Sequence, residues 1–550
     1  MLTAVYLLYR VANKKFIPRV KQFVLSGKLK HWFNVLCFRA KAIDPSLQLL
    51  LLFSAWLTGQ IVVYYVAKQK FSYDVFMPLQ FWQGRLIVYG FYIQLFTVLI
   101  TNTRAVKELL SRFWNKQETP YALAGFRIII LFYVFFTLFY AKMHLINRVA
   151  PPGVPLQPLP LTSWYAAYLP TDHTTYSIIC IVSLGLALMG IAGFLTRYSL
   201  LLLAILNIYV FGMPNFFGKM NHTHINVWIP LLLAFSPCAD VWSVDAFLKK
   251  RKQGEQKAFL SSRYWQSLAG VYLMLGVIYT FSGLRKLWDA GLAWALSDHF
   301  VYQIQQEWIE HYFTVPAIRI DHYPLMAEWG GMAIVLFEIA FIFLVFYPWG
   351  RWLSFFGGLA FHNIAYYFLY IGFQDLQKVY FSFLTPLLSR KFKAEPVINE
   401  PPNNSAYKWV LGGLLSCNSL LAIWGIHSWP FSPYPSYSVL TPGISHMVKI
   451  EVVTDKGEML NMDSIALKNN FRKEDFRPLE NEFLRINKSD TVQLKIGALK
   501  IWGNWEANLP PISGINKILF YEVDFPTDPD RRTEVVKNEL VVVLDKKDLH

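Results

Sequence analysis

Charge is scarce in this chain of 550 residues: Asp, Glu, Lys and Arg make up 16% of it, against 54% hydrophobic and 17% aromatic residues. Because the apolar residues also come in long runs, a single soluble core is excluded and a polytopic membrane protein is expected. Cysteine is scarce as well. Cys37, Cys180, Cys238 and Cys417 are scattered, show no CxxC spacing and mostly sit in or beside apolar runs as small hydrophobes do, so neither a disulfide framework nor a zinc site is implied. There is no GxGxxG leading from a strand, no P-loop and no GxSxG with a plausible triad, which removes the phosphate-binding and serine hydrolase readings. HExxH is absent, His222 and His224 are only two apart, and no metal is assigned.

What the chain does have in excess is positive charge, a net +16. Its Lys and Arg residues fall in short segments between apolar runs, where a membrane protein places them on the cytoplasmic side, and no nucleic-acid motif accompanies them. Nucleic acid is therefore not an expected partner; membrane lipid is. Residues 1–45 interleave Lys and Arg with Phe16, Ile17, Phe23, Trp32 and Phe33, the pattern of an amphipathic helix lying on an anionic leaflet. The apolar Leu2 to Tyr9 precedes those basic residues, the reverse of a cleaved signal peptide, and none is expected.

Candidate spans follow at 46–66, 86–102, 123–147, 176–195, 197–213, 225–237, 264–283, 330–347, 352–372, 376–389 and 408–426. That gives about eleven crossings, several of them short for the ~20 residues a crossing needs. From a cytoplasmic N-terminus, this count puts three basic loops on the cytoplasmic side: the one with Arg104 and Lys107, the run Lys249-Lys250-Arg251-Lys252, and the one with Arg390 and Lys391. It puts the loops around Asn221 and Lys286, and the C-terminal region, on the other side of what we expect to be a cell inner membrane. Four parts are expected after the basic segment: a helical extension over 46–120, a membrane core over 121–428, a Pro-rich linker over 429–439 and a small β-rich extracytoplasmic domain over 440–550. The β reading rests on runs such as Val448 to Val453, Val492 to Leu499 and Leu540 to Leu544.

Ionisable groups at membrane depth are costly and mark candidate sites. Asn221 and His222 open one apolar span, and Arg285 and Lys286 close the next. A histidine there can donate or accept a proton, or simply cap the interface. A lysine partly desolvated beside a second cation, Arg285, can act as a base near neutral pH, or can snorkel to headgroups. Glu338 and His362 fall within two further spans, at depths where a carboxylate and an imidazole can hydrogen-bond, for structure or for function.

Taken in order, Phe126-Arg127, Asn221-His222, Trp242-Ser243-Val244-Asp245, Gly283-Leu284-Arg285-Lys286-Leu287, Phe361-His362 and Ile371-Gly372 resemble the vitamin K-dependent γ-carboxylases and their bacterial relatives with the horizontally transferred transmembrane (HTTM) domain. The likeness runs from about Phe126 to about Leu388. It implies that Lys286 deprotonates a reduced vitamin K or menaquinol, which reacts with oxygen to give a strong base. That base removes a γ-proton from a peptidyl glutamate, carbon dioxide adds, and His222 assists, with Asn221 orienting and Arg285, His362 and Glu338 in support. Arg285 stands where the carboxylases commonly have lysine. The C-terminal region is much smaller than the part that recognises peptides in the animal enzymes, and two extra crossings precede the core. A lyase-type carboxylase using a lipid quinol and a peptide or protein substrate is the first expectation; a lipid-binding or transport protein without chemistry is the alternative.

Overall fold

The computed structural model describes residues 44–144, 156–217, 223–254, 258–311, 313–396, 405–432, 438–469 and 477–549. The basic segment before residue 44, Cys37, Asn221 and His222 lie outside them, as does part of the Pro-rich linker. Two helices come first, α1 (Pro45–Lys70) and α2 (Tyr73–Thr101), followed by the short α3 (Thr103–Trp114), which carries the basic face with Arg104 and Lys107. The core then runs through α4 (Pro120–His144), α5 (His173–Ala192), α6 (Thr196–Gly212), α7 (Ile225–Ala234), α8 (Val244–Gln253), α9 (Ser262–Ala290), α10 (Ala293–Leu296), α11 (His299–Glu310), α12 (Pro324–Leu344), α13 (Pro348–Leu369), α14 (Gln374–Gln377), α15 (Phe381–Leu388) and α16 (Ser405–Trp424).

Among the described residues eight helices are long and apolar enough to cross a membrane: α1, α2, α4, α5, α6, α9, α12 and α16. With no water at that depth, a helix is the way such a segment satisfies its own backbone. The expected eleven crossings are not reached, for three local reasons. Helix α7 has ten residues, about 15 Å of rise, half a bilayer core. The stretch expected at 376–389 is split into α14, a 3₁₀ turn and the eight-residue α15 with Pro386 inside it. Helix α13 has the length but is less apolar, carrying Arg351, Ser354, His362 and Asn363.

Helix α9 is the axis of the molecule: 78% of its apolar window is buried inside the protein, against 28% for α1 and α2. Glycines set how closely its neighbours approach. A Cβ at Gly276 would lie 2.4 Å from Ile342 of α12, and one at Gly84 of α2 would lie 1.9 Å from the backbone oxygen of Leu287 in α9. Helices α1 and α2 thus pack directly onto the end of α9, with Leu57, Tyr64, Ile87, Val88 and Phe91 sharing one buried cluster with Leu284, Leu287 and Trp294.

The C-terminal region holds a four-stranded antiparallel sheet from β1 (Ile444–Thr454), β2 (Met459–Asn461), β3 (Ile515–Pro526) and β4 (Lys537–Asp545), in the order β2-β1-β3-β4. Alternation holds as the sequence suggests: Val448, Ile450, Val452, Ile518 and Phe520 face one core, while Met447, Val523 and Phe525 face Ile309 of α11. The expected strand at Val492 to Leu499 is instead inside a helix, Thr491–Asn508, α17 here. Its apolar residues alternate over the first turns, but Leu494, Ala498, Ile501, Trp502 and Trp505 recur at helical spacing and are the buried ones, and the Asp490 side chain caps the Gln493 amide at 3.0 Å.

Polar contacts hold the sheet region to the core. Arg319, in the loop before α12, reaches Asp321 at 2.7 Å and Asp530 at 3.0 Å, and His322 lies 3.0 Å from the same Asp530 carboxylate. Hydrogen bonds from Arg319, then His322, hold the Asp530 carboxyl below its ordinary value. The Thr441 amide donates to His299 Nδ1 at 2.5 Å, and burial pushes that imidazole down to about 4, so it is the neutral acceptor.

The glycine at the contact of α2 and α9 is open to test. Gly84→Ala is expected to lower stability in detergent by at least about 2 kcal/mol, because the new methyl meets backbone that cannot rotate away. Gly59→Ala in α1, where a Cβ meets nothing within 4 Å, should leave the thermal midpoint unchanged or slightly raised. Equal effects at the two positions would contradict this packing.

Candidate functional site

Lys286 was expected to follow a span and sit near an interface; it lies inside α9, one turn before its end, and is only 5% exposed. Its neighbour Leu287 touches Gly84, near the middle of α2, so the lysine is level with the middle of a spanning helix. The ammonium is met there by Glu338 of α12, 2% exposed, with both carboxylate oxygens 2.7 Å from Nζ. Ser282, one turn earlier on the same face of α9, accepts from Lys286 Nζ at 3.1 Å and donates to Glu338 Oε1 at 3.3 Å. Gly283 makes the pairing possible, since a Cβ there would lie 2.9 Å from the Cβ of Glu338. The Trp294 ring closes one side, its centroid 5.2 Å from Nζ.

Two expectations change as a result. Glu338 pairs with Lys286 and not with His362. The imidazole of His362, in α13, instead meets the hydroxyl of Tyr279, which also meets that of Tyr380. Nor does Arg285 act as a second cation beside Lys286. Adjacent residues point about 100° apart on a helix, and Arg285 Nε bonds Asp289 at 2.8 Å, with Ser438 donating to the same carboxylate at 2.6 Å. Arg285 therefore ties the end of α9 to the linker. The structure brings together Lys286, Glu338 and Ser282, and it places His362 in a separate cluster with Tyr279 and Tyr380.

The sequence reading missed Ser282, Tyr279 and Tyr380. Ser282 and Tyr279 stand four and seven residues before Lys286, the spacing of one helix face, and that was the available signal. It also missed Lys378 and Asp375. Both belong to the broken segment after α13. Lys378 Nζ meets the carboxylate of Asp375, Asn226 Oδ1 at 2.5 Å and Thr137 Oγ1 at 3.3 Å, while Asn226 Nδ2 reaches Asp375 at 3.2 Å. This cluster joins the two short helical segments, and it fixes α7 four residues after His222.

Other motifs of the resemblance hold the fold. Arg127, fully buried, donates to the backbone oxygens of Cys238 at 2.8 Å, Trp242 at 2.5 Å and Ile191 at 3.4 Å. Asp245 accepts from the amides of Leu195 and Thr196 at 2.9 and 2.8 Å, capping the start of α6.

Breaking one half of the buried pair leaves an uncompensated charge. Glu338→Ala is expected to cost about 3–5 kcal/mol, read as a fall in the thermal midpoint of the purified protein. The double change Lys286→Met with Glu338→Leu should recover most of that loss; no recovery would mean that the two side chains are not partners.

Comparison with known proteins bears on the same region. The HTTM domain family matches residues 158–385, which include Lys286, Glu338, His362, Asn221 and His222 but neither α1 and α2 nor the C-terminal sheet. No curated protein and no solved structure matches the chain. The protein is thus an integral membrane protein that carries an HTTM domain, the domain of vitamin K-dependent carboxylase-like proteins.

Proposed function

We propose that the protein is a carboxylase-like membrane enzyme that takes a proton from a lipid quinol, reduced vitamin K or menaquinol, and with oxygen and carbon dioxide modifies a glutamate of a peptide or protein. The observation that carries this reading is the Lys286–Glu338 pair: a buried amine with a proton acceptor in contact, level with the middle of a spanning helix. To act as a base, Lys286 must first be the free amine. Passing its proton to Glu338 converts two charges into none, so the free amine arises without burying a net charge at that depth. Ser282 hydrogen-bonds both partners. Lys286 then takes the hydroxyl proton of the quinol, and the resulting ammonium is balanced by the anion it has made.

A quinol oxidised by oxygen supplies, when bound, the strong base that glutamate carboxylation needs. The chain's part is to keep that base dry, and the apolar walls from α1, α2 and α12 suit this. Asn221 and His222, which precede α7 in the sequence, are assigned the role of orienting the acceptor. The basic segments favour a cytoplasmic N-terminus in a cell inner membrane, whereas an extracytoplasmic C-terminal sheet needs an odd number of crossings, which the eight described spanning helices do not supply. A second reading, lipid binding or transport without chemistry, draws on the completeness of the ion pair itself, since both oxygens of Glu338 already contact Lys286.

Purified protein incubated with reduced vitamin K under oxygen should form the quinone epoxide, detected by mass spectrometry. Lys286→Ala should lower the rate by at least about 100-fold. No epoxide from a folded protein that binds the quinol would sink the enzymatic reading in favour of the second.

A further inference from the structure

Arg85 is a permanently charged side chain inside the spanning helix α2. A guanidinium carries five N–H donors, yet among the described residues none of those of Arg85 meets an acceptor and no carboxylate pairs with it. Nη1 is buried without a hydrogen bond, while Nε and Nη2, also unbonded, reach the surface. What surrounds the group is aromatic: Cζ lies 3.2 Å from the centroid of the Phe81 ring, 5.1 Å from that of Trp288 in α9 and 5.4 Å from that of Trp82. Rings attract the flat faces of a guanidinium but give its N–H rim nothing to donate to. Charged side chains at membrane depth are otherwise paired or face water, so this one lacks the partner it needs.

The side of α2 that bears Arg85 is open to the bilayer. Trp82, Leu86 and Tyr89 stand at helical spacing around it and are 47%, 50% and 54% exposed. The close contact between Gly84 and Leu287 lies on the inward face, so a ligand approaching from the lipid displaces no helix packing. Charge balance indicates what that ligand carries. Asp289 and Arg285, in the last turns of α9, act on Arg85, and the Asp289 carboxylate is already held by Arg285 at 2.8 Å and Ser438 at 2.6 Å. Two guanidinium charges against one carboxylate leave one positive charge unmatched. A phospholipid brings a phosphate together with apolar chains that suit Trp82, Leu86 and Tyr89, whereas a free aqueous anion would have to enter this apolar belt alone.

We propose that Arg85 binds the phosphodiester of an anionic phospholipid on the bilayer side of α2, with its free N–H rim donating to two phosphate oxygens and the lipid chains lying along Trp82, Leu86 and Tyr89. Arginine suits this task because its planar fork matches two oxygens of a phosphate at once. The site belongs to a helix outside the matched HTTM region, and it does not depend on the quinol reading.

The test titrates the full-length protein, in a neutral detergent, with phosphatidylglycerol or with phosphatidylcholine of the same chains, and counts bound lipids by native mass spectrometry. The wild type is expected to hold one phosphatidylglycerol more tightly than phosphatidylcholine, whose ammonium group opposes the arginine. Arg85→Gln should weaken that first lipid about threefold to tenfold. Arg85→Lys keeps the charge but not the fork, so it should fall between the two, and it keeps the test decisive where Arg85→Gln fails to accumulate. Arg104→Gln removes the same charge from the exposed face of α3 and should change binding less than about twofold. Equal losses at Arg104 and Arg85 would assign the effect to overall surface charge and overturn the site. A folded Arg85 variant with wild-type affinity, or equal binding of the two lipids by the wild type, overturns it as well. Inorganic phosphate bound as tightly as the lipid, and lost in the same variants, would give the site to a free anion and overturn the lipid.

Discussion

Everything around the site follows from burying one lysine and one carboxylate inside a membrane protein. Each charge alone would cost several kcal/mol to desolvate, and the two offset one another only in close, well-aligned contact. Contact between Lys286 and Glu338 requires α9 and α12 to approach more closely than ordinary side chains allow, which Gly276 and Gly283 permit. It also requires the remaining hydrogen-bonding capacity to be used, which Ser282 does on the same helix face. Finally it requires water to be kept out. Helices α1 and α2 lean on the end of α9 through Gly84 and Gly291, and these are again contacts that a larger residue would push apart.

The other buried charges are handled by different physics, which separates fold from chemistry. Arg127 has three backbone oxygens as its hydrogen-bond acceptors, at the end of α5 and in the turn before α8. It stitches loops together, and Asp245 completes the stitch by capping α6. Lys378 is surrounded by Asp375, Asn226 and Thr137, enough acceptors for all three of its protons. Those acceptors come from three separate segments of the chain, so the cluster holds the two interrupted segments in register. Among the described buried cations, Lys286 alone is matched to a single buried carboxylate, whose protonation would release the amine.

How far the sequence reveals this depends on the kind of signal. Long apolar runs and the basic segments between them identify the membrane class, and Lys286, Glu338 and His362 stand out as ionisable residues in apolar surroundings. The partners do not stand out. Glu338 and Lys286 are 52 positions apart, and pairing at that separation depends on helix packing that a single sequence does not display. Gly283 and Ser282 are unremarkable residues until α12 is known to press against them. The crossing count is not confirmed where hydropathy alone is ambiguous, since an apolar run of ten to fourteen residues makes either a short span or a half-length helix. The alternating residues from Val492 to Leu499 misled because two turns of an amphipathic helix and a short strand can share one pattern, and only the Trp502 and Trp505 positions beyond them break the tie.

The boundary of the matched domain carries a further consequence. Residues 158–385 contain both members of the ion pair, yet the wall facing the end of α9 is built by Leu57, Tyr64, Ile87, Val88 and Phe91 from helices before that region. The ribbon leading to the C-terminal sheet is tied to the same end of α9, through Arg285, Asp289 and Ser438. The ion pair therefore lies within the matched domain, while part of the wall beside it comes from helices outside that domain. Function is carried by a site and its walls together, so sharing the domain does not by itself fix the substrate.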